Sequence, residues 1–279
     1  MKKYTILASN DDGIDSPAFL SFLSALRAAE YCQELRYVAP TEEHSWIAQA
    51  ATPKKPVFVT KHTEEHSFLC SGTPADCISL GIGNLFKSPP DFIVSGINIG
   101  SNAGLAYYLS SGTVGAGRQG FLHGIPALCF SVKTPAEIFQ AWGRHDLSLL
   151  SKFSADWKRI AERCASIASL LMQNFQAPFV DLFSVNLPWM FDESTPCILT
   201  HLQRNHYLPL FEERHPGEYI HRPKGLLETE YVEASQCMLE ADRVVVERNA
   251  ISITPIRYDL APRQEYVTAL REVLQNKGC

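Results

Sequence analysis

Short apolar runs of β type alternate with segments of helical period through the first two-thirds of this chain. That alternation predicts crossover units, hence an α/β fold with a mostly parallel sheet. Residues 4–8, 35–39, 92–95, 127–131 and 180–185 read as strands. Between them, Ser16-Pro17 opens a helix whose Phe19, Leu20, Leu23 and Leu26 share a face, and Thr73-Pro74 opens another. Each start joins a capping oxygen to a proline whose φ already suits the first turn. Residues 57–60 and 67–70 flank a polar stretch at His62–His66 and read as an inserted hairpin. The most regular helical period runs from about Asp156 to Phe175. After Pro188 the texture changes, with Pro, His, Glu and Arg crowding residues 203–225. A domain edge therefore falls near 190, separating an α/β core (1–190) from a C-terminal extension (191–279). Residues 228–232, 243–247 and 250–254 of the extension read as strands, and 264–276 as an amphipathic helix with Val267, Leu270 and Leu274 on one side. Such an extension cannot bury both its faces alone, so it is expected to pack on a second subunit.

Composition narrows the partners. Of 279 residues, 46% are hydrophobic and 20% charged, as in ordinary globular proteins. The formal charge of -5 argues against a nucleic-acid polymer, which needs a basic patch to displace counterions. A small anion is still compatible, because local groups can capture one. The first apolar run meets Asn10-Asp11-Asp12 too soon for a signal-peptide core, and no later run is long enough to span a bilayer. The expectation is a cytoplasmic protein with no membrane partner. The eight cysteines form no Cys-x-x-Cys pair and no zinc spacing, and most sit in apolar stretches as small hydrophobes.

Candidate chemistry begins at Asp11 and Asp12, directly after the first strand, where open α/β sheets place their ligand crevice. The turn signalled by Asp12-Gly13 can bring both carboxylates toward one centre, and a hard divalent cation is the commonest remedy for their repulsion. The plainer reading is a polar turn with Asx hydrogen bonds. Ser45, five residues beyond Pro40, carries a hydroxyl that could reach the same crevice or belong only to a polar surface loop. From Gly96 to Gly104 glycines recur every four residues with Asn98 and Asn102 between them, letting backbone approach a ligand and an amide oxygen ligate a metal. Ser111-Gly112-Thr113 lies in a run of small residues leading into a helix, which suits either a phosphate at the helix N-terminus or close helix–sheet packing. The dinucleotide fingerprint, the Walker loop and Gly-x-Ser-x-Gly are all absent.

Read together, these stretches resemble the SurE family of nucleotidases. The match is ordered: Leu7-Ala8-Ser9-Asn10-Asp11-Asp12-Gly13, Ala39-Pro40 then Ser45, Gly72-Thr73-Pro74-Ala75-Asp76-Cys77, Pro90-Asp91 through Gly104, Ser111-Gly112-Thr113-Val114-Gly115-Ala116, Gly124-Ile125-Pro126-Ala127, and Val185-Asn186-Leu187-Pro188. Asp242 and Ile251-Ser252-Ile253-Thr254-Pro255 match more faintly. The resemblance implies a Rossmann-like three-layer core, with a C-terminal hairpin and helix exchanged between subunits of a homodimer or homotetramer. It implies metal ligands at Asp11, Asp12, Ser45 and Asn98, a divalent cation such as Mg²⁺ or Mn²⁺ in each subunit, and a phosphate held at Ser111, Gly112 and Thr113. The implied reaction is hydrolysis of nucleoside monophosphates by a 5′-nucleotidase, an acid-type phosphatase, with other small phosphate esters as alternative substrates.

The chain departs from the family pattern at three places. Trp46 follows Ser45 where the family usually has Gly. Between Gly104 and Ser111 there is one more residue than the pattern, without its usual acid at 105–109, and Gln119 replaces a Glu. A nucleotide- or phosphate-binding module with little or no turnover is the rival expectation that these changes raise.

Overall fold

Buried parallel strands organise the chain, and the computed structural model describes them within residues 1–177, 179–228 and 238–258. β1 (Tyr4–Ser9) leads through α1 (Pro17–Ala28) to β2 (Cys32–Pro40), followed by β3 (Val59–Lys61), β4 (Ser67–Cys70) and α2 (Pro74–Leu80). Next come β5 (Phe92–Ile99), α3 (Leu105–Ser110), α4 (Gly112–Leu122), β6 (Ala127–Lys133), α5 (Ala136–Gly143), α6 (Leu147–Ser151), α7 (Ser154–Gln173) and β7 (Leu182–Pro188). The remainder contributes β8 (Cys197–His201), β9 (Asn205–Tyr207), β10 (Phe211–His215), β11 (Glu218–His221), β12 (Leu226–Glu228), β13 (Glu240–Ala241), α8 (Asp242–Glu247) and β14 (Ile251–Ile256).

The main sheet has ten strands in the order β13-β8-β14-β7-β6-β5-β1-β2-β4-β3. From β7 to β4 all neighbours are parallel, while β3 and β14 run antiparallel to β4 and β7. The side strands β10–β11 and β9–β12 form two antiparallel pairs of their own. Strand order reverses between β1 and β5, and a crevice opens at the carboxyl ends of strands at such a switch point.

Alternation along the central strands feeds two cores. Ile6 and Ala8 of β1 face the core shared with α1, α5 and α7, whereas Leu7 faces the one shared with α2 and α4. This is the three-layer α/β arrangement. On α1 the buried residues are Ala18, Phe19, Phe22, Leu23 and Leu26, and Leu20 is exposed. The spacing 19, 22, 23, 26 follows the helical repeat, so Phe22 takes the place expected for Leu20. The Ser16 hydroxyl accepts from the Phe19 N–H at 3.3 Å, and Thr73 and Asp76 form a reciprocal capping box at the start of α2.

Residues 243–247 were expected as a strand and instead lie in the helix α8. The Val244–Val246 run favours β structure locally, but burial of Val245 and Val246 and an Arg243–Glu247 ion pair one turn apart favour the helix. The strand expected at 250–254 is part of β14. Residues 229–232 and the helix expected at 264–276 lie outside the described residues. Cys70, Cys77, Cys129 and Cys164 are buried as anticipated, whereas Cys197 is exposed. Among the described residues no helix is long and apolar enough to cross a membrane.

Candidate functional site

The turn after β1 sets the site. Ser9 ties the strand end to β2 by donating to Val38 O at 2.8 Å, and Asn10 Nδ2 closes the turn on Gly13 O at 2.8 Å. Between them Asp11 and Asp12 are only 4% and 5% exposed, an unusual depth for adjacent carboxylates. Asp12 Oδ2 accepts the Ile99 N–H at 2.9 Å, which joins β1 to the end of β5. Asp11 accepts from the Thr113 hydroxyl and from its N–H at the start of α4.

Two glycines allow this approach. A Cβ on Gly112 would lie 2.7 Å from Asp11 Cβ, and one on Gly115 would lie 2.0 Å from Ala48 O. The first turn of α4 is thus wedged between the carboxylates and the loop after β2, and Ala48 N donates to Ser110 O at 2.9 Å to hold that loop down.

Burial dominates the electrostatics. Desolvation pushes Asp11 up to about 6, against the opposing bonds from Thr113. Asp12 is raised well above the usual carboxylate range by burial first and by the neighbouring Asp11 charge second. The Glu43 charge raises both further, and none of the main influences on either carboxylate is a basic side chain. Two adjacent buried carboxylates that raise each other's cost of ionisation fit a divalent cation, which would supply positive charge between them. Asn10 Oδ1, buried without a hydrogen-bond partner in the same turn, adds an oxygen in want of a donor or cation. Among the described residues no three His, Cys, Asp or Glu cluster to hold a metal. A cation here would have hard oxygen donors in the two carboxylates and in neutral oxygens beside them.

Of the two amides in the glycine-rich stretch, Asn98 Oδ1 lies 3.5 Å from Thr113 Oγ1, next to Asp11. Asn102 lines the same cleft as Asn98 but is tied into the framework, with its N–H on Asn186 Oδ1 at 2.8 Å and its Nδ2 on Ser131 Oγ at 2.9 Å. Ser45 is exposed on the loop after β2, its hydroxyl donating to Glu43. Asp11, Ser45, Asn98 and Ser111 line one cleft of about 470 Å³, whereas Thr113 is fully buried behind Asp11. Gly112 lies between them, against Asp11. A larger groove of about 820 Å³ between α1 and α7 holds none of these residues.

Sequence reasoning did not single out Glu43, Lys133 or Phe139. Glu43 stands two residues before Ser45, and Lys133 is a lone charge ending the apolar run of β6 at the same end of the sheet; both signals were available. Lys133 and Phe139 line the cleft through the tertiary fold.

A family model described as survival protein SurE matches residues 6–209. The 5′-nucleotidase SurE of Thermosynechococcus vestitus is 30% identical over 263 residues, covering 91% of each chain. That of Synechococcus elongatus is 32% identical over 268 residues, covering 91% of this chain and 94% of its own. In three dimensions the crystal structure of the SurE protein from Aquifex aeolicus superposes with a TM-score of 0.70 at 24% identity, over 97% of this chain and 99% of that one. At that identity the last comparison speaks for the fold.

Proposed function

This chain belongs to the SurE family, and from that premise we propose that it is a 5′-nucleotidase, a phosphomonoesterase that hydrolyses nucleoside monophosphates to nucleoside and phosphate. The observation that carries the reading is the convergence of Asp11, Ser45, Asn98 and Ser111 on one cleft at the carboxyl ends of β1 and β5.

Asp11, Asp12, Ser45 and Asn98 would hold a divalent cation, Mg²⁺ or Mn²⁺, one in each subunit. Such an ion supplies Lewis-acid polarisation of the phosphoryl group and a more acidic water. The chain's own groups do the rest. Thr113 holds Asp11 from behind, and the Ile99 N–H holds Asp12, so neither carboxylate can swing away. Ser111 caps and Gly112 begins α4, an 11-residue helix whose positive end favours an anion. Lys133 at the cleft adds a positive charge toward an incoming ester. No covalent nucleophile is assigned. The exposed Phe211, Tyr219 and Leu227 on the arms beyond residue 190 support a second part of the proposal, that the 191–279 extension builds a homodimer or homotetramer around the 1–190 core.

Phosphate release from a panel of nucleoside monophosphates, with Mg²⁺, Mn²⁺ or chelator, tests the reading in wild type and Asp12→Asn. Metal-dependent release that falls at least 100-fold in Asp12→Asn is the expected outcome, on the order of what loss of a group acting directly in transition-state stabilisation brings. No release from any ester despite metal binding would leave a binding module in its place.

A further inference from the structure

We propose that Trp46 sets the leaving-group specificity of the cleft, offering an indole surface on which the planar heteroaromatic base of a nucleotide stacks; this rests on the reading of the cleft as a phosphomonoesterase site. Trp46 lines the same cleft as Asp11 and Ser45 and directly follows the latter in sequence. It is 40% exposed, whereas the other three tryptophans, Trp142, Trp157 and Trp189, are 5%, 1% and 8% exposed. An apolar ring left open beside charged and polar groups is a surface for a ligand with a flat apolar face.

Trp46 has φ of +61°, a conformation that glycine adopts freely and a bulky residue adopts at a cost. Backbone preference alone would select glycine here, so the reason for an indole lies in what its ring touches. Its neighbours hold it in place: His221 at 4.7 Å between ring centroids, Tyr207 at 5.3 Å and Tyr107 at 6.1 Å. Tyr207 is itself fixed, its hydroxyl bonded to Ala106 O at 2.6 Å and Ser110 Oγ at 2.8 Å. The indole is thus buttressed from three elements while part of its surface stays open. Phe139, 56% exposed, joins Trp46 and Tyr107 as a third aromatic ring in the lining. Base–aromatic stacking accepts any base, so the surface separates base-bearing esters from aliphatic ones and discriminates weakly among bases.

Two readouts on the full chain test this. The first is the ratio of kcat/KM for AMP over that for ribose 5-phosphate, which has the same phosphate and sugar without the base. The ratio is expected to fall about 10- to 100-fold in Trp46→Gly and to stay within about threefold of wild type in Trp46→Phe. Glycine suits the backbone at this position, so the truncated variant is expected to fold, and circular dichroism checks it. The second is tryptophan emission during titration with adenosine or with ribose. Adenosine is expected to quench wild type, ribose is not, and Trp46→Phe is expected to lose the adenosine response. An unchanged AMP to ribose 5-phosphate ratio in Trp46→Gly overturns the proposal, as does an adenosine response that is absent or equal in Trp46→Phe; either leaves the hydrolase reading standing. Trp46-dependent adenosine quenching without phosphate release from any ester sinks the hydrolase and keeps the stacking surface.

Discussion

Thr113 illustrates how one side chain serves the site without lining it. Its hydroxyl and N–H both go to Asp11, offsetting part of the desolvation that raises that carboxylate. Replacing it with valine keeps the shape but withdraws the hydroxyl from a buried anion, so Asp11 becomes harder to ionise. If Asp11 ligates the proposed cation, Thr113→Val is expected to weaken Mn²⁺ binding or phosphate release about 10- to 100-fold, the usual effect of losing a group that holds a metal ligand. Metal titration at constant pH, beside rates at saturating metal, separates the two. The carboxylate pair and its neighbouring hydroxyls were legible in the sequence as residues. That Thr113 faces Asp11 instead of the cleft was not, because the direction of a side chain at a helix start depends on what the helix packs against.

Elements are set by contacts that the local pattern only partly encodes. Gly115 lets α4 press against the Ala48 carbonyl, which a Cβ would meet at 2.0 Å. Gly115→Ala is therefore expected to destabilise the protein by about 1–3 kcal/mol, the range for overpacking, and to lower Tm by roughly 2–4 °C per kcal/mol. Thermal unfolding by calorimetry checks it. On β2, Glu34 pairs with Arg36 through two bonds of 2.8 and 2.7 Å, while Arg36 also reaches Ser88 O at 2.6 Å. Those bonds hold the Glu34 carboxyl below its usual value of 4.5. A depressed acid contributes stability above its unfolded pKa and loses it as pH falls through the folded one. Glu34→Gln is expected to cost about 1 kcal/mol at pH 7 and progressively less as pH falls below 4.5, checked by denaturant unfolding across that range. The strands of the alternating region were predictable because fully buried parallel strands are apolar on both faces. The helix α8 was not, since three consecutive valines favour a strand locally and tertiary burial overrides that preference.

At the scale of the molecule, the ten-stranded sheet brings together segments far apart in sequence: Asp11 with Thr113, 102 residues on, and Asp12 with Ile99, 87 residues on. A cation bound between them, as proposed, would have its site only in the folded state, which would link metal to stability. Mn²⁺ at about 100 times its Kd is expected to stabilise wild type by about 2.7 kcal/mol. Asp12→Asn is expected to show less than half that effect, and chelator to return wild type to its metal-free Tm. Equal stabilisation of both proteins would locate the ion elsewhere. Asp242 works at the same scale, accepting N–H bonds from Gly104 at 2.8 Å and Gln203 at 3.0 Å, and so fastens the glycine-rich loop to the segment after β8.

The sequence by itself determined the α/β class, the central strands, the capped starts of α1 and α2, and the adjacent carboxylates placed directly after β1. These follow from periodicity, caps and residue type, which act over a few neighbours. Only the tertiary structure decided that Asn98 and not Asn102 faces Thr113, and that Lys133 and Phe139 reach the cleft. It also decided that the indole of Trp46 is braced by rings from beyond residue 200. Those facts depend on which strands lie side by side, a long-range property that no local pattern records.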